Sequence, residues 1–512
     1  MTWQFLLLAG LSVSIGWGVR GQFGHEYGAA LAGALGGMVV ALLAGRPDWR
    51  PRIAYFAALG AIGWGFGGGM SYMKTVAYSH SSDSATTLYG FACLFVLGFI
   101  WASMGGTGTA LPAYLDRDEL TKLFAPLCAV LGAWYLVDAA RPLLRQFAGQ
   151  GFNAIVAIAA VLVVTAIRRK SWGAGSSLII HMAVGWWAGY LLLIKVFHLD
   201  MNPPRGDSWA GCLGLVWGIL FFCWRRRLGG IAFATLSAGF LGGIGFALGA
   251  AVKITAMSSG LQTNWHSVME QTQGLFHGLA IGITFALIAR KAPKLQDAEP
   301  IPRWTEVFCV TFVLCVLNYL NFRRAPSEWT KEIENLTANL YGIPVTSYLM
   351  PWRGFIGWFE MIYLAIAAAM VLLLVLHLRR PLPFIPADWV GKGQLFYLVF
   401  LWSTVVINFA DVLPRFAPNR LVTEWFMTLN AVACTVLLVY GCFAMEGRVI
   451  RKVPDALYGR WIRNAVAFGL LGAVAVSLAG WGIKRGLYGD RTANNIYSDH
   501  IRFGPNNTNT KR

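Results

Sequence analysis

Apolar runs long enough to cross a membrane recur along the whole chain, separated mainly by short basic loops. A helix needs about 20 apolar residues to span the hydrocarbon core of a bilayer. The composition agrees, because 56% of the 512 residues are hydrophobic and only 13% are charged, and the mean hydropathy is +0.55. The sequence therefore predicts an all-α, polytopic membrane protein and excludes an ordinary soluble domain.

Hydropathy predicts about fifteen transmembrane helices. With the N-terminus in the cytoplasm, every strong Lys/Arg cluster between spans falls on the inner side, as the positive-inside rule requires, and the C-terminus lies outside. Loop charge of this kind explains the net charge of +18 without a nucleic-acid partner. The predicted spans centre near Leu11, Gly36, Gly63, Leu97, Ala129, Ala160, Gly185, Val216, Leu241, Ile281, Leu314, Ala368, Phe400, Cys434 and Val474.

A weak internal repeat divides the chain. Gly24-His25-Glu26-Tyr27 aligns with Gly206-Asp207-Ser208-Trp209, which lies 182 positions later. The glycine-rich runs that lead to Lys74 and to Lys253 also align. Six predicted spans separate the copies, so the repeat is predicted to be parallel. The predicted divisions are a first six-helix repeat (1–175), a second (176–381), C-terminal helices with a further partial echo (382–485) and a polar external tail (486–512).

The stretch from Trp17 to Gly37 is the strongest functional signal, because Arg20, His25 and Glu26 sit there between two apolar segments. Charges at such a depth are costly unless they are paired or hydrated, so they indicate a site. A carboxylate beside an imidazole suits proton relay or general acid–base chemistry. The alternative is structural, with Glu26 pairing with Arg20 at a helix end.

The candidate site is predicted at the outer ends of the repeat helices, and the basic inner loops are interpreted as topological charges only. Two lysines facing one cavity would favour an anionic substrate. The structural alternative is that these residues lie at the aqueous interface, where charge costs little. The candidate coupling or acid–base groups are Glu26, His25 and Asp83, the candidate substrate-binding residues are Arg20, Tyr27, Lys74, Asp207, Lys253 and Glu270, and His266 and His277 lie nearby.

Two functional hypotheses follow. The parallel six-span repeat resembles that of major-facilitator transporters, although their loop signatures are absent. An acidic residue after the first span is similar to that of membrane glycosyltransferases that use lipid-linked sugars, whose long first outer loop is missing here. The leading hypothesis is a transporter, proton-coupled, for a small polar or anionic solute in a bacterial-type inner membrane. The alternative is a membrane enzyme, transferase-like, acting at the outer face on a lipid-linked or glycan substrate.

The expected partners are the lipid bilayer and the small-molecule solute. No cofactor is expected, since the sequence has no Walker P-loop and no dinucleotide-binding pattern in a strand–helix context. The eight cysteines all fall in apolar runs and form no metal-ligand spacing, so no metal is expected. The sequence does not indicate an oligomeric state.

Overall fold

A computed structural model of the chain shows a helical protein. It describes residues 3–23, 25–67, 70, 72–140, 150–168, 173–199, 201, 208–261, 263–295, 303–322, parts of 365–380, 388–412, 418–443 and 456–493, with only the backbone at some helix ends. All regular structure in these ranges is helical, which confirms the predicted class. Asp207 lies outside the described residues, as does the side chain of His25.

The first nine helices cover residues 3–190. The connection between α1 and α2 is very short, because one ends at residue 23 and the next begins at residue 25. A 3₁₀ helix (Pro47–Arg52) joins α2 to α3. The bounds are α1 (Trp3–Phe23), α2 (His25–Leu43), α3 (Ile53–Gly67), α4 (Met73–Ser79), α5 (Ser84–Tyr114), α6 (Arg117–Lys122), α7 (Phe124–Ala139), α8 (Gln150–Arg168) and α9 (Ala174–Tyr190).

The later helices follow the same apolar pattern. Short π-helical turns, Leu191–Val196 and Phe312–Leu317, continue α9 and α13. The bounds are α10 (Ser208–Arg226), α11 (Gly229–Met257), α12 (Trp265–Ala289), α13 (Arg303–Thr311), α14 (Asn318–Phe322), α15 (Trp389–Val412), α16 (Pro418–Phe443) and α17 (Ala456–Tyr488). Because α17 continues to Tyr488, the predicted tail begins within this helix, and residues 494–512 lie outside the described part.

Ten helices among the described residues are long and apolar enough to cross a membrane. They include the segments predicted around Gly36, Leu97, Leu241 and Ile281. The segments predicted around Leu11, Gly63, Ala160 and Cys434 are helical but are not among these ten, and the one around Ala368 lies mostly outside the described residues. These ten helices are compatible with a multi-pass membrane protein, and the count of fifteen stays a prediction.

The centre of the molecule is a bundle of α1, α2, α3, α5, α11 and α12. The closest partners are α5 with α11, α2 with α3 and α1 with α12, so the first helix packs on one that begins 242 residues after its last residue. Helices α7 to α10 pack successively on one another, and α17 packs along α11. This arrangement brings polar residues from distant parts of the sequence into the middle of the bundle.

Glycines allow the central helices to touch backbone to backbone. A Cβ on Gly33 would collide with the Gly60 carbonyl, and one on Gly60 with the Gly33 carbonyl, so α2 and α3 meet through two glycines. On the other side of α3, a Cβ on Gly63 would meet the carbonyl of Met104 on α5. Small residues at such crossings are typical of helix association in membranes. The glycine-dense span before Lys74 thus packs helices, and α3 ends at Gly67, with Gly68 and Gly69 outside the described residues.

Candidate functional site

Arg20, near the end of α1, is enclosed by aromatic rings. Its guanidinium carbon lies 4.5 Å from the ring centre of Trp17, 4.7 Å from that of Tyr72 and 5.0 Å from that of Trp101. The side chain has no exposed surface. A guanidinium is less strongly hydrated than an ammonium and is attracted to aromatic faces, so this enclosure offsets part of its desolvation cost.

Glu270, on α12, is the acidic partner that the structure places beside Arg20. Arg20 Nη1 lies 3.5 Å from Glu270 Oε1, and the glutamate side chain is 2% exposed. Tyr72 links the pair, because its hydroxyl accepts a hydrogen bond of 3.0 Å from Arg20 Nη1 and donates one to Glu270 Oε1. We call Arg20, Tyr72, Glu270 and their neighbour His266 the charged cluster.

His266 adds a second titratable group one helical turn before Glu270. Its Nε2 lies 3.6 Å from Glu270 Oε1, and its ring stacks on Tyr72 with the centroids 6.2 Å apart. Both His266 and Glu270 are buried. An imidazole and a carboxylate in this arrangement can exchange a proton, and the Tyr72 hydroxyl and the Arg20 guanidinium lie where they can bond the carboxylate.

Lys253 lies on α11, which packs on α12, and is fully buried. The two helices run antiparallel, since Gly242 approaches His277 while Gly249 approaches Gln273. One further turn along α11 therefore places Lys253 near the level of Met269 and Glu270. The structure pairs Arg20 with Glu270 and places Lys253 on the neighbouring helix; all three were predicted as substrate-binding residues, although neither spacing nor hydropathy identified them as neighbours.

The other predicted residues are placed differently. Glu26 and Lys74 are exposed, and Tyr27 is half-buried with its carbonyl 3.4 Å from Asn321 Nδ2. Lys74 belongs to the separate short helix α4, so it does not share the buried environment of Lys253. Their roles as coupling or substrate-binding residues stay predictions.

Asp83 is the N-cap of α5. Its Oδ2 accepts hydrogen bonds of 2.7 Å from both the hydroxyl and the amide of Thr86. The bond from the hydroxyl is the first cause, and that from the amide the second, of the lowering of the Asp83 pKa below its usual value. Capping of this kind satisfies a helix N-terminus and gives Asp83 a structural role at the surface.

Three members of the site were missed from the sequence: Tyr72, Trp101 and Gln273. Gln273 could have been found, because His266, Glu270, Gln273 and His277 are spaced by four, three and four residues, which places them on one helix face. Tyr72 follows the glycines after α3 and carries no such periodic signal. Its position depends on where the short helix α4 folds back, which is a tertiary property.

The opposite end of the bundle also holds buried arginines, which corrects the interpretation of these residues as simple loop charges. Arg46 donates to both carboxylate oxygens of Asp48, at 2.8 and 2.6 Å. It also donates to the carbonyls of Ala289, Ala292 and Pro293, at 3.3, 2.9 and 2.7 Å. These carbonyls close the C-terminal end of α12, where cations and donors are favoured.

Arg52 binds the backbone carbonyls at the C-terminal end of α5 in the same way. Its Nη1 donates to the carbonyls of Pro112 and Leu115, at 3.0 and 2.7 Å, and the residue is fully buried. Arg46 and Arg52 therefore fix the ends of the two long helices that flank the middle of the bundle. We call these two residues and Asp48 the inner brace.

An apolar crevice of about 60 Å³ lies apart from both clusters. Its walls come from α3, α5, α7, α9 and α10, and they include Leu59, Met104, Leu127, Met182 and Ile219. No Asp, Glu, Lys, Arg or His lines it. The crevice therefore offers no group for acid–base chemistry, whereas the charged cluster does.

Comparisons of the chain with protein-family models, curated proteins and solved structures give no match. The functional argument accordingly starts from the geometry of the charged cluster.

Proposed function

We propose that the protein is a proton-coupled transporter for a small polar solute that carries an anionic group. The observation that supports this proposal is the Arg20–Glu270 pair, which is buried between α1 and α12 and is linked by the Tyr72 hydroxyl. Removing two charges from water costs several kcal/mol per ion. Ionisable residues kept within membrane helices at such a cost generally mark ion or substrate pathways.

The chemistry of the pair suggests how a proton and an anion are coupled. While Glu270 is ionised, it neutralises Arg20, and the two remain together. When a proton neutralises Glu270, the guanidinium loses this negative partner in a poorly hydrated place. A carboxylate or phosphate on the solute then supplies the missing negative charge and forms a charge-assisted hydrogen bond. Proton and solute thus bind together, because each one makes the other's binding favourable.

Tyr72 and His266 support the exchange of partners. The Tyr72 hydroxyl contacts both Arg20 and Glu270, so it can remain bonded to either when the pair separates. His266, 3.6 Å from the same carboxylate oxygen, is placed to deliver or accept the proton. The neutral side chain of Gln273 continues the polar face of α12 from this point.

The membrane arrangement that we propose has about fifteen spans, with the N-terminus inside, the C-terminus outside and two parallel six-helix repeats. In this arrangement the charged cluster lies toward the outer side and the inner brace toward the cytoplasm. The distribution of Lys and Arg supports this orientation in a bacterial-type inner membrane. A reporter domain fused after residue 493 tests this arrangement. We expect the reporter on the outer side of the membrane, and a cytoplasmic reporter would reject the arrangement.

The test of function is a metabolite and lipid profile of cells and medium. It compares cells expressing the wild type, Glu270→Gln and Asp118→Asn at matched protein levels. Asp118 is a suitable control because its side chain is 80% exposed and pairs only with a neighbour one turn away. We expect an unmodified compound to move between medium and cells with the wild type and Asp118→Asn, and not to be accumulated with Glu270→Gln.

A different outcome would reject transport. If a new lipid or glycan species appears with the wild type, and no unmodified compound changes compartment, then the membrane-enzyme alternative replaces the transporter. Glu270 or His266 would then be the first acid–base candidate to test in the enzyme.

A further inference from the structure

A stripe of buried polar side chains runs along α12. It consists of His266, Glu270, Gln273, His277 and Thr284, each at most 3% exposed. Their spacing of four, three, four and seven residues returns to nearly the same direction on a helix that turns about 100° per residue. The stripe extends over about 27 Å at 1.5 Å per residue, close to the thickness of a bilayer's hydrocarbon core.

Neighbouring helices extend this stripe with hydroxyl groups. Ser237 on α11 lies 3.1 Å from Thr284, oxygen to oxygen. Deeper in the same interface, the hydroxyls of Thr107 on α5 and Thr235 on α11 are 2.8 Å apart. Polar groups therefore follow the interface of α5, α11 and α12 from the charged cluster toward the end held by the inner brace.

His277 lies midway along the stripe. Its ring is completely buried, and the backbone carbonyls of Gly98 and Gly242 lie close enough to act on it. Its ring centre is 5.1 Å from that of Trp17, 5.0 Å from that of Trp64 and 5.5 Å from that of Phe246. The bundle thus keeps a group that can bind and release a proton in a place where an apolar side chain would cost less to bury.

Glycines on α11 provide the space for these polar groups. A Cβ on Gly242 would lie 3.0 Å from the His277 ring, and one on Gly239, a turn away, would collide with Ser103 Oγ of α5. Ser103 Oγ is also buried and without a partner. His277 and Ser103 thus approach the same side-chain-free strip of α11 from two different helices.

We propose that protons cross the bundle along this stripe, with His277 as the relay between Glu270 and the Thr284–Ser237 pair. This inference rests on the proposed function and assigns the route of the coupling ion. A proton leaving Glu270 binds one ring nitrogen of His277, and the proton on the other nitrogen leaves toward Ser103 or Thr284, so the ring ends neutral and no net charge stays behind. Glu270 and Thr284 each lie seven residues from His277, about 10 Å along the helix, so each transfer requires a bridging water that enters the stripe.

The test uses purified protein in liposomes that contain a trapped pH-sensitive dye. A potassium gradient with valinomycin imposes a membrane potential, and proton entry is measured with and without the compound that the cellular profile identifies. The key variant is His277→Phe, which fits the aromatic surroundings and removes both ring nitrogens. The matched control is Thr272→Val, because Thr272 lies on another face of α12 and its hydroxyl bonds only the carbonyl of Val268, at 2.8 Å.

We expect potential-driven proton entry with the wild type and with Thr272→Val, and a decrease of at least about tenfold with His277→Phe. Thr284→Val is a second variant, which keeps the shape of the threonine side chain and removes its hydroxyl. It is expected to lower the proton flux too, so the proposal can still be tested if His277→Phe does not fold. The proposal is overturned if wild-type vesicles take up protons no faster than protein-free ones both with and without that compound. It is also overturned if folded His277→Phe and Thr284→Val both conduct like Thr272→Val.

Failure of this route is distinguishable from failure of the proposed function. A flux that depends on His277, in a protein that moves no solute, would keep the proton route and reject solute transport. Solute movement that depends on Glu270 but not on His277 would keep the transporter and reject this route.

Discussion

Two buried arginines at opposite ends of the bundle show what separates a structural charge from a functional one. Arg46 is held by two oxygens of Asp48 and by three backbone carbonyls, at distances from 2.6 to 3.3 Å. Arg20 lies under three aromatic rings and meets a phenol and a carboxylate, the latter at 3.5 Å. Besides Asp48, Arg46 bonds three backbone carbonyls, which cannot change their charge, whereas Arg20 meets two side chains that can each give up or take a proton, Tyr72 and Glu270. Burial alone therefore does not identify the site; the nature of the partners does.

The comparison predicts the largest loss of stability at the inner brace. Arg46→Met removes the hydrogen bonds to Asp48 and to the end of α12, and it leaves Asp48 without its cation. Breaking a buried pair of this kind costs about 3 kcal/mol or more. Thermal unfolding in detergent should show this loss relative to Arg225→Met, where the arginine is exposed. Equal stability of the two variants would show that Arg46 does not stabilise the end of α12.

Arg20→Lys should instead lower solute uptake and leave stability almost unchanged. The lysine ammonium keeps the positive charge, but it lacks the planar guanidinium that packs against the aromatic rings and donates a hydrogen bond to Tyr72. We expect unfolding within about 1 kcal/mol of the wild type, because the charge remains paired, and solute uptake lowered about tenfold or more. Uptake per folded molecule and thermal unfolding measured on one preparation separate the two effects. If Arg20→Lys unfolds as easily as Arg46→Met, then Arg20 is also a structural charge.

The pH dependence of stability should report on the inner brace. Burial by itself raises the pKa of Asp48, but the bonds from Arg46 and the Leu295 amide outweigh it, so the pKa lies below its usual value. A pKa lowered in the folded state gives stability that is present above the unfolded value and is lost as the pH falls through the folded value. Stability should therefore decline below about pH 4.

Asp48→Asn provides the control for that decline. It should be less stable than the wild type at neutral pH and should lose less stability on acidification. Thermal unfolding between neutral and acidic pH measures both quantities. An unchanged acid-induced decline in Asp48→Asn would assign it to other carboxylates.

The smallest effect is expected at Asp83. Asparagine is also a good N-cap, so Asp83→Asn should retain the bond from the Thr86 amide and alter stability very little. Solute uptake should equal that of the wild type, because this exposed cap lies apart from the charged cluster. Loss of uptake in a stable Asp83→Asn protein would instead restore Asp83 as a coupling residue, as the sequence predicts.

The sequence predicted the helical membrane class and most of the helix positions because hydropathy reports directly on burial in lipid. It also selected Arg20, Lys253, Glu270 and His266 as candidate site residues, because charges are rare inside apolar runs. It did not predict that Arg20 pairs with Glu270, which is 250 positions away. Hydropathy assigns a residue to a helix but does not determine which helices become neighbours.

Lys74 and Lys253 illustrate the same limit. The internal alignment treats them as equivalents, yet α3 ends at Gly67 and Lys74 falls on the exposed helix α4, while α11 continues past Lys253 to Met257. Where a glycine-rich helix ends depends on the helices packed around it. The length of the apolar run did not show this difference, and the parallel repeat stays a prediction.

The most direct test of the central claim compares two assays on Glu270→Gln in proteoliposomes, using the compound that the cellular profile identifies. Glutamine resembles the protonated glutamate, so Arg20 should remain available to the solute while the proton no longer binds. We predict that the variant loses proton-driven accumulation, down to the level of vesicles without protein, and still exchanges labelled for unlabelled solute across the membrane. Accumulation at the wild-type level in Glu270→Gln, or equal loss of accumulation and exchange in a folded protein, would contradict the claim that protonation of Glu270 couples the proton to the solute.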